Sequence, residues 1–389
     1  MDRLPVARTA PDACPGVLRP FHASDGEIVR VRVPGGLLTV AGLRELSRLS
    51  AAHGDGRVGL TSRGNVQLRG LSAGSLTAVE AGCTAAGLLP HPTHELVRNI
   101  VASALSGQGA GGLADTDGLA AAVDAAICAS ARFAQLPGRF LFAVDDGSGD
   151  TASVAADVRA VAAGPDEFAL FLGGEPGPVV ARASVVVLML AAAEAFLDVR
   201  GDAWRVRELP AGALADQDHR LCPVSASETA DNRALPVILE PGVVDQADGR
   251  VALVAIAPLG LLDAGQVEAL AACAELASPE AATVRLTPSR RVVVRDLDLP
   301  AALAARELLD AVGLVVRAGT GWDRLTACAG RPGCAKSLAD VHADARALVD
   351  GLAADGPALH LSGCDRACGA PAGATRLVAT GTGYTEVAP

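Results

Sequence analysis

The sequence predicts an α+β protein built by duplication. One observation is a stretch, GEIVRVRVPGGLLTVAGLRELSRLS from Gly26, that returns as GRVALVAIAPLGLLDAGQVEALAACAEL from Gly249. Pro34, Gly36, Leu37 and Leu38 fall on Pro258, Gly260, Leu261 and Leu262. A second is LTSRGNVQLRGL, which returns as LTPSRRVVVRDL, with Leu60, Thr61, Val66, Arg69 and Leu71 on Leu286, Thr287, Val292, Arg295 and Leu297. Gly87-Leu88 likewise falls on Gly313-Leu314. The third is the order of patterns in each copy, strand, helix, strand, strand, helix, which is most of a ferredoxin-like unit. Two copies far apart imply pseudo-two-fold symmetry, not a solenoid.

Taken in order, residues 1–20 are Pro-rich and read as an irregular arm holding Cys14. EIVRVRVP alternates apolar and charged residues, the pattern of a half-buried strand. Pro34-Gly35-Gly36 turns the chain, and Thr39 is placed to cap a helix with Leu43, Leu46 and Leu49 on one face. RVGL and VQLRGL are strands joined by a Ser-Arg-Gly-Asn loop, and a helix over 75–87 ends at Gly87. A helix follows from Thr116 to Ala134, then a strand in LPGRFLFAVDD. Residues 201–248 carry Pro210, Pro223, Pro236 and Pro241 and read as a connecting loop region. After the second copy, a helix from Ser337 to Leu352 and a short strand over Ala358 to Leu361 imply an α/β layer. The expected organisation is 1–90 for arm and first half-repeat, 91–235 for an α/β pocket domain with its connecting loop, 236–315 for the second half-repeat, and 316–389 for the last α/β segment.

Composition excludes several classes. A net charge of −11 disfavours nucleic acid as a partner, and 3% aromatic residues leave few platforms for base stacking. The longest apolar stretch, VVVLMLAAAEAF from Val185, is too short to span a membrane. MDRLPVARTAPDACPG lacks the apolar core of a secretory signal, so the chain reads as cytoplasmic. Nine cysteines in 389 residues, an odd number, do not make a disulfide framework.

Four cysteines are spaced for ligation: Cys328-x5-Cys334 and Cys364-x3-Cys368. Gly330, Pro332 and Gly333 keep the first loop from becoming helix, so both thiols can turn to one point. Four thiolates complete a [4Fe–4S] site. Zinc usually takes more closely spaced hooks, which a five-residue gap and a distant three-residue gap fit poorly.

A second group is polar. Asn65 and Gln67 share one face of a strand, with Arg63 just before it. Guanidinium binds carboxylates bidentately, so the trio suits an anionic ligand; a solvated sheet face would show the same pattern. Arg98-Asn99 and Arg139 are further polar points in the same half of the chain.

Nearly the whole chain resembles the sulfite/nitrite reductase superfamily, with its two half-repeats and Cys-x5-Cys…Cys-x3-Cys cluster. Thr61-x-Arg63-x3-Gln67 is similar to that family's tetrapyrrole- and anion-binding motif. Arg98-Asn99 resembles its Arg-Asn step, and Leu136-Pro137-Gly138-Arg139-Phe140 the segment that delivers two lysines to the substrate anion. This chain has Arg139-Phe140-Leu141 where the reductases have Lys-Phe-Lys, so one cation is replaced by Leu141. Arg366 also stands where the reductases typically have Asn. These departures, and the opening CPGVLRPFHASDGEIVRVRVPGG, resemble the precorrin-3B synthase branch. That resemblance implies a monooxygenase of cobalamin biosynthesis that binds precorrin-3A, a tetrapyrrole, as substrate. Its reaction would be O2-dependent hydroxylation at C20 with γ-lactone formation. It further implies a [4Fe–4S] cluster on Cys328, Cys334, Cys364 and Cys368, O2 as co-substrate, an electron donor of unknown identity, and a further non-haem iron. His91 and His94 are a candidate pair for that iron, though they read first as loop histidines near a proline; His22 and Asp25 are weaker, and His360 reads as a neighbour of the cluster. The substrate contacts implied are Arg63, Asn65, Gln67, Arg98, Asn99 and Arg139. A sirohaem-dependent sulfite or nitrite reductase is the alternative, and a non-catalytic iron–sulfur electron carrier the third reading.

Overall fold

The computed structural model describes residues 12–222, 237–353 and 355–388. The arm's first eleven residues, Pro223, Pro236 and the expected boundary at 235–236 lie outside them.

The first copy contains β1 (Phe21–Ala23), β2 (Gly26–Val31), β3 (Leu37–Thr39), α1 (Val40–His53), β4 (Val58–Leu60), β5 (Val66–Leu71) and α2 (Leu76–Ala85). Helix α1 starts where the side chain of Thr39 accepts the Gly42 N–H at 3.1 Å. Its apolar stripe, Leu43, Leu46 and Leu49, is wholly buried, at about 2 kcal/mol per leucine.

A separate α/β layer follows, with β6 (Ile100–Ala102), α3 (Asp117–Ala129), β7 (Phe142–Asp145), β8 (Val158–Ala162), β9 (Glu167–Leu172), β10 (Glu175–Ala181) and α4 (Arg182–Val199). Strands β6, β7 and β8 run parallel, and β9 and β10 complete the sheet antiparallel. The helix expected from Thr116 to Ala134 stops at Ala129, because Ser130 is extended and a 3-10 turn carries the chain on to Gln135.

The second copy contains β11 (Gly242–Asp245), β12 (Val251–Ile256), β13 (Leu261–Leu262), α5 (Ala264–Ala277), β14 (Thr283–Leu286), β15 (Arg291–Leu297) and α6 (Leu299–Ala311). The copies exchange strands. β3 of the first pairs with β14 of the second, Leu38 opposite Val284. β13 of the second pairs with β4 of the first, Leu261 opposite Gly59. The exchange begins at equivalent 3-10 turns, Pro34–Gly36 and Pro258–Gly260. Gly36 is required there: at φ 74 a Cβ would lie 2.1 Å from the Leu286 carbonyl oxygen. One hydrophobic core runs through both copies, with α1 against α5 and Arg44 reaching Glu268 and Glu275 across the seam.

The last layer is β16 (Leu325–Ala327), α7 (Val341–Val349), β17 (Leu359–Ser362), β18 (Thr375–Ala379) and β19 (Tyr384–Val387). β16, β17 and β18 are parallel. Helix α7 is shorter than the expected Ser337–Leu352. Ser337 and Leu338 are held in the cysteine loop by the Leu338 N–H to Gly363 O bond at 2.8 Å, and the helix begins at Asp340, which caps His342 and Ala343. Among the described residues no helix is long and apolar enough to cross a membrane.

Candidate functional site

Cys328 follows β16 directly, and Cys364 follows β17 after Gly363. The two strands are neighbours in register, so both thiols leave the same carboxyl edge of the sheet, where loops of parallel sheets form sites. The Cys328 N–H donates to Leu361 O at 3.0 Å, and the Gly363 N–H donates to Cys328 Sγ at 3.3 Å. Position 363 admits only glycine: a Cβ would sit 1.8 Å from Ser337 Oγ. Burial pushes the Cys368 thiol pKa up, opposed by Arg366, and the Cys364, Cys328 and Cys334 thiols add to the rise. The other three sulfurs are therefore within electrostatic reach of Cys368, and all four are free of disulfides. No three of them lie within 4.8 Å of each other.

The first copy grips this loop. Ser24 Oγ donates to Pro332 O at 2.9 Å. Arg69 makes two bonds of 3.1 Å to the Asp25 carboxylate and one of 2.7 Å to Gly333 O. Between the grip, the second copy and the cysteine loops lies a cavity of about 670 Å³. Cys328 and Cys368 line it together with six arginines, Arg30, Arg57, Arg69, Arg290, Arg331 and Arg346, against three carboxylates, Asp25, Asp55 and Asp340. On a chain of net charge −11 this is a local concentration of positive charge.

Among the residues expected at the site, Gln67 lines the cavity, and its Oε1 accepts from Arg30 Nη2 at 3.0 Å. Three others form a network beside it. Arg63 Nη1 and Asn99 Nδ2 both donate to Gly138 O, at 3.3 and 3.0 Å. Asn65 Nδ2 donates to Asn99 Oδ1 at 3.2 Å, and Asn65 Oδ1 accepts the Val33 N–H at 2.9 Å. The fold thus joins three distant segments, but Asn65 and Asn99 are buried and spend their polar groups on the backbone and each other. Arg98 points elsewhere, into a buried bidentate pair with Asp124 at 2.7 Å. Arg139 is half-exposed, 4.9 Å over the Trp204 ring and 3.7 Å from Asp12. Leu141 is buried with Val101 and Val154, and its N–H donates to Asp157 at 2.9 Å.

Arg30 joins the cavity to this neighbouring group, within electrostatic reach of Arg139 and Cys14. Burial lowers the pKa of Arg63 to about 10 and of Arg32 to about 9, which leaves both charged at neutral pH. Among the histidines, His94 has both nitrogens engaged, Nε2 with Ser130 O at 3.0 Å and Nδ1 with Thr93 Oγ1 at 2.9 Å, and its ring is buried. That geometry leaves no lone pair for an iron, so the His91–His94 pair is not a preformed ligand set. His22 is exposed against Glu27, and Asp25 is held by Arg69. His360 is buried beside the cluster loops, with Nδ1 bonded to Thr326 Oγ1 at 2.9 Å. Burial and Arg290 lower its pKa to about 4, so it is neutral.

Sequence reasoning missed the cavity arginines. Arg30 had a signal: in an antiparallel β2–β5 pair it falls opposite Gln67. Arg290 had another, since the internal alignment places it on Gly64. Arg331 and Arg346 join only through the docking of the last layer, which no local pattern shows.

Residues 22–86 match the nitrite/sulfite reductase ferredoxin-like half domain, the first of the two half-repeats. The chain is 28% identical to a precorrin-3B synthase of Sinorhizobium sp, over 94% of this chain and 80% of that protein. A ferredoxin–nitrite reductase of Leptolyngbya laminosa is 32% identical over 123 residues, 30% of this chain and 24% of that one. Among solved structures, NirA of Mycobacterium tuberculosis superposes with a TM-score of 0.71 over 92% of this chain and 73% of its own. Its identity is 19%, so the likeness is one of fold.

Proposed function

We propose that the protein is an oxidoreductase of precorrin-3B synthase type, which hydroxylates precorrin-3A at C20 with O2 and closes a γ-lactone. The observation that carries this reading is the arginine-lined cavity open to two of the four grouped cysteines. A tetrapyrrole bearing many carboxylates is a natural occupant of a site with six guanidinium groups, which bind carboxylates bidentately. Cys328, Cys334, Cys364 and Cys368 would hold a [4Fe–4S] cluster, which supplies single electrons when bound.

Inserting one oxygen atom from O2 leaves the other to become water and consumes two electrons and two protons. The electrons come from a separate donor. The chain's own residues bind and orient the macrocycle: Arg30 and Arg69 from the first copy, Arg290 from the second, Arg331 and Arg346 from the cysteine layer. Because these cations come from three layers, the macrocycle is held only when the layers are docked. A further non-haem iron, implied by the resemblance, has no ligand set among the described histidines.

The sulfite or nitrite reductase reading asks for a second cation at position 141. Leu141 is instead packed in an apolar cluster with Val101 and Val154, where a lysine side chain would have to be desolvated. The test is an absorption spectrum with iron, sulfide and tetrapyrrole extraction on anaerobically purified protein, followed by turnover of precorrin-3A under 18O2. A product with one labelled oxygen and no stoichiometric sirohaem in the enzyme is expected. Stoichiometric sirohaem with sulfite or nitrite turnover would overturn the monooxygenase reading.

A further inference from the structure

The duplication places two loops in equivalent positions, and they are built alike. In the first copy the Thr61 N–H donates to Asn65 O and the Gly64 N–H to Thr61 O, at 2.9 and 3.1 Å. In the second the Thr287 N–H donates to Arg291 O and the Arg290 N–H to Thr287 O, at 2.9 and 3.0 Å. Gly64 and Arg290 therefore occupy the same place, with φ of 66° and 59°. Glycine accepts that left-handed conformation freely; arginine there is strained. Nothing in the loop's own hydrogen bonds needs an arginine, since the glycine copy closes identically. A strained residue at an otherwise satisfied position points to a role for its side chain.

The side chain shows where that role lies. It crosses Gly260, whose added Cβ would sit 2.5 Å from Arg290 Cδ, and ends at Gly369, whose added Cβ would be 3.3 Å from Arg290 Nη2. Gly369 directly follows Cys368. The residue is part-buried on the cavity wall, and its partial desolvation lowers its pKa. It makes no salt bridge among the described residues. A part-buried cation with no ion-pair partner among the described residues thus sits against the cysteine loop.

We propose that Arg290 is a positioning residue for redox chemistry: the fixed positive charge that offsets the negative charge of a cluster held by the four cysteines and raises its reduction potential. This rests on the iron–sulfur reading above. Reduction adds an electron to a cluster already negative through four thiolates, so a nearby fixed cation favours the reduced form. Placing the cation on the cavity wall links the two sites, because a bound polycarboxylate would partly neutralise it and lower the potential again.

The test uses the full-length holoprotein and its Arg290→Gly, Arg290→Gln and Arg290→Lys variants. Arg290→Gly restores the residue of the first copy and relieves the backbone, so it separates loss of charge from misfolding. Iron and sulfide are measured first, then the potential by optical or EPR titration. The neutral variants are expected to keep wild-type iron and sulfide. Their oxidised-to-reduced ratio at fixed poise should rise about tenfold, or 59 mV for one electron, with Arg290→Lys close to wild type. Neutral variants with full clusters and an unmoved potential would overturn the proposal, as would a variant that only loses affinity for the tetrapyrrole. Wild-type protein without stoichiometric iron and sulfide would overturn the cluster reading itself.

Discussion

Replacing Arg69 by methionine removes one guanidinium that holds the first half-repeat to the cysteine loop. The stem of methionine keeps most of the packing, so the loss is polar. Three bonds go: two of 3.1 Å to Asp25 and one of 2.7 Å to Gly333 O. Breaking a fully buried ion pair costs about 3–5 kcal/mol, mostly from the stranded partner. Here the two side chains are 17% and 18% exposed, so Asp25 recovers part of its hydration. A cost of about 2 kcal/mol follows for opening the loop, a roughly 30-fold larger opening constant. The loop carries its own reporters: the Arg331 N–H bonded to Ala339 O, the Ser337 N–H to Cys334 O and the Leu338 N–H to Gly363 O. Hydrogen exchange followed by mass spectrometry should show these amides exchanging about 30-fold faster, while peptides from α4 stay unchanged. Asp25→Ala leaves the bond to Gly333, so its effect should be smaller. Exchange in the loop within threefold of wild type would refute the claim that the Arg69 bonds hold the layers together.

Other perturbations separate binding from structure. Cys364→Ser should lose cluster iron, sulfide and activity together; retained stoichiometric iron and sulfide would remove Cys364 from the ligand set. Arg30→Met should weaken tetrapyrrole binding at least tenfold with little change in melting temperature. Arg98→Met should do the reverse, lowering stability by about 3 kcal/mol through the stranded Asp124, so thermal melts and tetrapyrrole titrations on both variants check the pair. The Asp150 carboxyl is pushed up to about 7, by burial first and then by Asp145 and Asp146, against bonds from Ala104 N–H and Ser103 Oγ. Its folded pKa lies above the unfolded one, so the folded chain holds a proton that the unfolded chain releases. This group therefore lowers stability as pH rises from about 4 through 7. Melting temperature against pH should show that fall, and Asp150→Asn should flatten it.

The duplication was legible because its signals are local. A turn of Pro34 and Gly36, a capping Thr39 and an apolar stripe each fix their own few residues, and each has a counterpart at the expected distance, the cap as Asp263 and the stripe as Val267, Leu270 and Cys273. Strand exchange was not legible. Leu37–Thr39 reads as the start of a helix whichever sheet it joins, and the choice of Val284 as partner is made by the core that α1 and α5 share. The same limit explains Arg98. Its motif is a pair of polar residues in sequence, but Asp124 lies one helix away and takes the guanidinium. Asn65 and Gln67 share a strand face as alternation requires, yet Asn65 sits at the edge where the Val33 N–H and Asn99 reach it first, and only Gln67 meets the cavity.

Equivalence under the pseudo-two-fold axis turns this limit into an argument. When two copies close the same loop with the same hydrogen bonds, whatever differs between them is free of that loop's structural demands. Thr61 and Thr287 do not differ, and each accepts the backbone N–H four residues on, from Asn65 and Arg291, at 3.1 and 3.0 Å. Gly64 and Arg290 do differ, and the difference runs against backbone preference. Arg63 and Ser289 differ as well: the first copy sends its cation toward Gly138, while the second sends one a residue later toward Gly369. Each copy thus aims one guanidinium out of the same turn, one toward the segment around Arg139 and one toward the cysteine loop. The duplicated scaffold presents one cation, Arg290, to the cavity beside the cysteine loop, and turns the other, Arg63, into the network next to that cavity.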